Sequence, residues 1–470
     1  MNEYFNSKGM DRKHPARIGK ISLDAVNINS TLEHDKKSNL IYGMDQTMSL
    51  TAVKQQFSSL VRGDSEPSTA STNDADFGHG DESSIIDNLN LSDQHLCLKW
   101  TSLGPEIKMS EIIATIDVSK TTPEVVAALA IETMDIAAST YGINTCATFA
   151  DDAGENAKFA DTFATIEAKD LIDQSLTKEY QDKVDLSVRV GFHDLTTGNL
   201  VALVPDMPHL VSNIVTAMEF SSKQNQKRDL RRGASPANLN MIKKPWELTG
   251  GKSKQQHPTK LTIHHFEKNS YLRMKKRLAF QVLSNSVKIM LEKACSDDSL
   301  DLGIAESAYS HLIEFVDNMN KLTDICNGRD GENFTPANGR SKQKELLDIL
   351  VWFTEWKKEH DADVAAEKAN EYNFFAPATW KCIQRLILGL VALIEDLCIQ
   401  KKMSIVPRRL NTDDLENHFG NCRQFVGGAH DKLTSKGWMA AHAKAGKFNM
   451  ATRGNNAASP LFTRMDRFRG

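Results

Sequence analysis

The fold turns on one stretch near the carboxyl end, Leu410-Asn411-Thr412-Asp413-Asp414-Leu415-Glu416-Asn417-His418-Phe419-Gly420-Asn421-Cys422-Arg423. Leu415, Phe419 and Cys422 recur at helical spacing and predict a helix starting near Asp413. Glu416 falls in its first turn. Asp413 and Glu416 also stand at N-cap and N3 spacing, so Glu416 has a purely structural reading as the back-bonding member of a capping box. Beyond Gly427 the chain is polar, Gly/Ala-rich and basic, and reads as a disordered tail.

Working outward, the character becomes helical after about residue 222, with 223–259, basic and Gly- and Ser-containing, reading as a loop. A stripe of Ala279, Val282, Leu283, Val287 and Met290 marks one helix, and others are expected over 301–323, 341–370 and 377–402. Residues 327–340 are a Gly/Asn-rich break. The apolar core Leu386–Ile394 is flanked by Arg385, Glu395 and Asp396, too short for the roughly 20 residues of a membrane span. It reads as a buried core helix.

The first half has another character. Ile18 to Ile28 is a plausible strand, and Leu40-Ile41-Tyr42 looks like its hairpin partner. Residues 63–93 hold eight acidic residues and no Lys or Arg, which predicts a disordered acidic insertion. His95–Trp100 reads as a strand. Residues 109–140 look helical, broken before Pro123, with Gly142 as terminator. Ile143–Ala150 and Leu200–Val204 read as strands. This order predicts a mixed α/β sheet followed by helices.

Length and composition agree with two or three globular domains. The chain has 470 residues, 40% hydrophobic and 25% charged, which excludes a wholly disordered or fibrous protein. Net charge is −4, yet residues 401–470 carry 13 Lys/Arg against 5 Asp/Glu, so the first 400 carry −12. A basic end can meet a polyanion or can be a solvated tail. The amino terminus has no apolar signal segment. Seven cysteines show no C-x-x-C pair and no histidine at finger spacing, so reduced thiols in an intracellular protein are expected and a structural zinc site is not.

Three acidic residues occupy suggestive places. Asp24 lies within the first strand, Asp151 at the end of the strand closing Phe149-Ala150, and Glu416 in the late helix. Strand ends of α/β sheets collect ligands. Converging carboxylates repel unless they hold cations, and Mg²⁺ accepts such oxygens. Two ions would clamp the oxygens of an in-line phosphoryl displacement. Each acid also has a plain reading: Asp24 as a surface residue, Asp151 and Asp152 as a turn and cap, Glu416 as above.

Together the segments resemble the P-element (THAP-associated) transposase family. Residues 410–423 are similar to its D-x-L-E-N-x-F-G-x-x-R motif, followed here by Gly427-Gly428. Asp206-Met207-Pro208-His209-Leu210 is similar to D-P-P-H-L, and Phe149 to Asn156 to its strand-end D-G-x-x-x-N. Leu23 to Ile28 with Leu40 to Asp45 resembles F-D-E-M-x-I and the G-F-x-D hairpin, and Tyr271–Ala294 resembles a further family segment. The matches run in the family's order from about Ile18 to Gly428.

The resemblance implies an α/β RNase H-like core interrupted by a large helical insertion. The domains expected are a core over 17–221, an insertion over 222–405 and a final core helix over 406–428, with basic disordered ends at 1–16 and 429–470. It assigns the catalytic, metal-binding acids to Asp24, Asp151 and Glu416, with two Mg²⁺ or Mn²⁺ ions. Asp206, His209 and Asp413 would shape the fold beside them. The implied function is metal-dependent DNA hydrolysis and strand transfer on transposon ends and target, in the nucleus or otherwise inside the cell, by a homo-oligomer without membrane contact. In one branch of the family the insertion binds GTP, although no Gly-rich phosphate loop stands in 222–405.

Departures are also visible. Neither a THAP zinc module nor a coiled coil is present, Ala25 follows Asp24, Asp152 replaces a Gly and Met207 a Pro. A partial or domesticated copy, serving as a catalytically inactive DNA- or protein-binding scaffold, is the alternative; a GTP-binding helical protein with an inert core is a third. Candidate DNA contacts are Arg273, Lys275, Lys276, Arg277, Arg408, Arg409 and Arg423, beside Lys227, Arg228, Arg231, Arg232, Lys243 and Lys244.

Overall fold

A computed structural model describes the chain except residues 1–5, 7–8, 12–13, 32, 36–39, 43–44, 46–90, 107–108, 151–153, 195, 224–226, 254–256, 268–269, 274, 329–331, 426–432 and 455–470. Asp151 and nearly all of the acidic stretch 63–93 lie outside the described residues.

The strands of the central sheet are β1 (Ile18–Asn27), β4 (Gln94–Ser102), β5 (Ser110–Val118), β6 (Asn144–Ala150), β7 (Ile166–Glu167), β8 (Arg189–His193) and β9 (Leu200–Pro205). A separate two-stranded ribbon pairs β2 (Glu33–Asp35) with β3 (Leu40–Tyr42). The seven-stranded order is β5-β4-β1-β6-β9-β8-β7. β6 and β9 run parallel, while β8 pairs antiparallel with β9 and β7 with β8. The sheet is mixed, as expected of an RNase H-like core, while the all-helical expectation for 222–405 is corrected by a short antiparallel ribbon of Arg231–Arg232 with Ser235–Pro236.

Further expectations need correction: within the 223–259 stretch expected as a loop, Leu239–Leu248 form a helix capped by Asn238. Residues 110–118 are a strand and not part of a helix. Ile112, Ile113, Thr115, Ile116 and Val118 are β-branched and favour an extended backbone. The hairpin partner of Leu40–Tyr42 is Glu33–Asp35, and not the Ile18 strand.

The chain divides into two compact units, residues 1–22, 100–110 and 131–412, and residues 23–99, 111–130 and 413–470. β1, β4, β5 and helix α1 (Pro123–Tyr141) each contribute to both. As the sequence indicates, Pro123 opens α1, and Gly142 beyond its end takes a φ of +60°.

In the first unit, helix α2 (Gly154–Phe163) follows β6 and helix α3 (Met207–Ser221) follows β9. Then come α4 (Leu239–Leu248), α5 (Lys276–Val282), α6 (Asn285–Cys295), α7 (Ser310–Cys326), α8 (Gly339–Ala365) and α9 (Pro377–Ile394). Every residue of α9 from Leu386 to Ile394 is buried. α9 packs on β9, and Gly389 permits the approach: a Cβ there would stand 3.1 Å from Val204 Cγ2. No described helix is long and apolar enough to cross a membrane.

The helical part is knit by aromatic rings. Trp356 meets Phe315, Phe374 and Phe375, and His311 lies flat on Trp352 with centroids 5.2 Å apart. Neither ring nitrogen of His311 has a hydrogen-bond partner among the described residues. Burial, helped by the Arg232 charge, pushes its pKa down to about 3. The unfolded chain binds a proton there near pH 6.5, so the neutral ring favours folding fully above that pH and loses this contribution on acidification toward about 3. Parent stability is expected to fall by about 2 kcal/mol more than that of His311→Leu between pH 7.5 and 4.5, read by urea denaturation.

In the second unit, helices α10 (Asp413–Phe425) and α11 (Ser435–Gly454) share an apolar cluster with β1 and β4. It holds Val26, Ile28, Cys97, Leu415, Phe419, Cys422, Leu433, Trp438, Ala441 and Ala445. The expected disordered tail over 429–470 is thus corrected at α11. Trp438, Ala441 and Ala445 recur on one helical face, and the two alanines let that face approach closely.

Candidate functional site

Asp24 sits on β1, one pleat repeat from Val26, so both side chains leave the same face of the strand. Its Oδ1 accepts the Ala25 amide at 2.8 Å, and the side chain is half-buried. Glu416 lies in the first turn of α10 with Asp413 and Asp414, where the helix dipole favours negative charge. Glu416 is half-buried and Asp413 exposed. Val26 and Leu415, neighbours of the two acids, pack in the same cluster. Lys99 Nζ donates to the Asp414 carbonyl at 2.8 Å. β6, which ends at Ala150 immediately before Asp151, neighbours β1 in the sheet.

Asp206 is fully buried at the N-cap of α3. Oδ2 accepts from His209 Nδ1 at 2.7 Å and from the His209 amide at 3.2 Å. Lys276 Nζ stands 3.9 Å away, and Oδ1 accepts the Thr412 amide at 2.7 Å. Burial works to raise this carboxyl's pKa, but His209, Lys276 and the Thr412 amide outweigh it and hold it below the ordinary value. Asp206 thereby ties α3 to Thr412 within the first unit. Replacing it with Ala removes a cap and several charged hydrogen bonds, with an expected loss of about 2–3 kcal/mol by chemical denaturation.

The basic candidates divide. Arg273 pairs with Glu219 at 2.5 Å, and Arg409 donates to the carbonyls of Ser102 and Gly104. Arg423 lies 5.8 Å from the centre of the Trp438 ring. Lys275, Arg277 and Arg408 are exposed. In the same region Arg232 forms a two-point pair with Glu359.

One constellation was not legible from spacing. His95 and Cys97 of β4, His418 and Cys422 of α10, and His442 of α11 converge in the second unit. His442 Nε2 lies 3.0 Å from His95 Nε2 and 3.7 Å from Cys97 Sγ. His442 Nδ1 lies 2.7 Å from His418 Nε2 and 3.7 Å from Cys422 Sγ. Burial pushes the Cys422 thiol up to about 11 and lowers His418 to about 3 and His442 to about 4. The only available signals were the strand pair His95-x-Cys97 and the helical pair His418-x-x-x-Cys422, each placing two donors on one face.

Comparison with known proteins adds two findings. A family model described as a TNP-like, GTP-binding insertion domain matches residues 220–335. No curated protein matches the chain. Among solved structures, the chain is similar to that of the Drosophila P element transposase strand transfer complex, with TM-score 0.61 and 15% identity. That match covers 94% of this chain and 78% of the other. The chain thus shares a fold with that transposase, and its residues 220–335 resemble a GTP-binding insertion domain.

Proposed function

We propose that the chain is a transposase core that cuts and joins DNA, with Asp24, Asp151 and Glu416 as its catalytic acids. The observation carrying this reading is the shared packing of Val26 and Leu415, which brings the strand of Asp24 and the first turn of Glu416 to one cluster. Their carboxylate oxygens are hard donors of the kind Mg²⁺ and Mn²⁺ take. Two such ions, when bound, neutralise charge on the attacking and leaving oxygens of a phosphodiester.

The protein's own part is to fix those carboxylates. Asp24 is held on a paired strand, with one oxygen steadied by the Ala25 amide. Glu416 is held on a helix whose Leu415, Phe419 and Cys422 pack in the apolar cluster of the second unit. Lys275, Arg277 and Arg408 would meet DNA phosphates, so binding should weaken as salt rises. GTP is proposed as a ligand of the 220–335 insertion on the strength of the matched domain's description.

The test is cleavage of duplex DNA by the purified chain with Mn²⁺, with Mg²⁺ and with neither. Metal-dependent strand breaks support the reading. DNA binding that is equally strong without metal, with no cleavage under any condition, would favour the scaffold instead.

A further inference from the structure

We propose that His95, Cys97 and His442 form one site for a zinc-class ion and His418, Cys422 and His442 an adjoining one, the His442 ring offering a different nitrogen to each. The first half of this pair is His95 Nε2, Cys97 Sγ and His442 Nε2; the second is His418 Nε2, Cys422 Sγ and His442 Nδ1.

Donor chemistry and convergence carry this: in each half the three ligand atoms lie within 4.8 Å of one another, so that small side-chain shifts would bring them to an ion. Imidazole nitrogen and thiolate sulfur are the zinc-binding pair. Around a tetrahedral ion with the usual bond lengths, ligand atoms stand roughly 3.3–3.6 Å apart. The contacts to His442 in the first half are 3.0 and 3.7 Å. In the second they are 2.7 and 3.7 Å, with Cys422 Sγ 3.4 Å from His418 Nε2.

Asp117 and Ser435 orient the first half. His95 Nδ1 contacts Asp117 Oδ1 at 2.5 Å, and the Ser435 hydroxyl donates to the other Asp117 oxygen. A carboxylate on one ring nitrogen leaves the other as the ligand, which fixes tautomer and ring plane. Trp438 stacks on His95 at 5.9 Å and helps close the site. A neutral hydrogen-bonded chain from Asp117 through His95 and His442 to His418 accounts for the four nitrogens. It does not require both buried thiols to converge on that same ring, which as a neutral imidazole has one donor and one acceptor.

Ions here would pin α10 and α11 to β4 and so fix the helix that bears Glu416. The donor set is distinct in chemistry from the all-carboxylate set of the proposed active site.

The full-length chain, purified after expression with added Zn²⁺, is measured by inductively coupled plasma mass spectrometry. About one zinc or more per chain is expected, falling below about a tenth in His442→Ala and staying at the parent level in Glu416→Gln. Co²⁺ loading of the parent should give thiolate-to-cobalt absorption, a signature that carboxylates do not produce and that needs no variant to fold. A parent chain without zinc and without that absorption overturns the proposal and leaves the hydrogen-bonded histidine chain. So does a full zinc complement in His442→Ala, or in both Cys97→Ser and Cys422→Ser.

Discussion

Glu416→Gln is expected to lower Mn²⁺-dependent DNA cleavage by on the order of 10²–10³ or more, with the fold intact. The amide keeps the volume of the side chain and one acceptor oxygen. What it loses is the negative charge that a hard cation needs from its protein ligands. Stability should change by less than about 1 kcal/mol, because the residue is half-buried in a first turn that retains Asp413 and Asp414. Asp24→Asn should behave in the same way. The measurement is a single-turnover cleavage assay on duplex DNA, paired with thermal melting of each variant. Parental cleavage by a well-folded Glu416→Gln protein would remove Glu416 from the active site.

Trp356→Ala carries the largest expected loss of stability, about 3–5 kcal/mol. Trp356 is fully buried. Its ring lies edge-on to His311 at 4.4 Å and to Phe374 at 5.1 Å. Its Nε1 donates to the Arg231 carbonyl at 2.9 Å. Truncation removes the ring contacts, opens a cavity between α7 and α8, and strands that carbonyl. Urea denaturation is the readout. Trp356→Phe should recover much of the packing and still miss the hydrogen bond, so its cost should fall between parent and Ala. A loss under about 1 kcal/mol for Ala would mean that neighbouring rings refill the space.

What sequence made legible was what local rules govern. Asp206 and Pro208 announce the start of α3, Gly142 the end of α1, and Leu386–Ile394 a helix buried all round. Signals failed where tertiary context decides. Ser110–Val118 is a short apolar run, and periodicity does not separate strand from helix in such runs. α11 has few large apolar residues, and only packing of Trp438 with Ala441 and Ala445 shows that it is more than a basic tail. The His/Cys cluster joins residues 347 positions apart, His95 and His442, and no spacing rule spans that distance. Asp24 and Glu416 stood out as acids in the sequence, but the cluster shared by their neighbours Val26 and Leu415 appears only in three dimensions.

The chain passes between its two units five times, after Ser22, Lys99, Ser110, Ala130 and Thr412. Neither unit is therefore one continuous stretch of gene. A copy shortened from either end removes a segment of one unit before it spares the other, and a cut inside β1 or β4 wounds both. The insertion is different: residues 220–335 begin and end within a single unit. Its length can therefore change without moving any of the five crossings, while His311, Phe315 and Lys276 fasten it to Trp356 and Asp206 of the same unit.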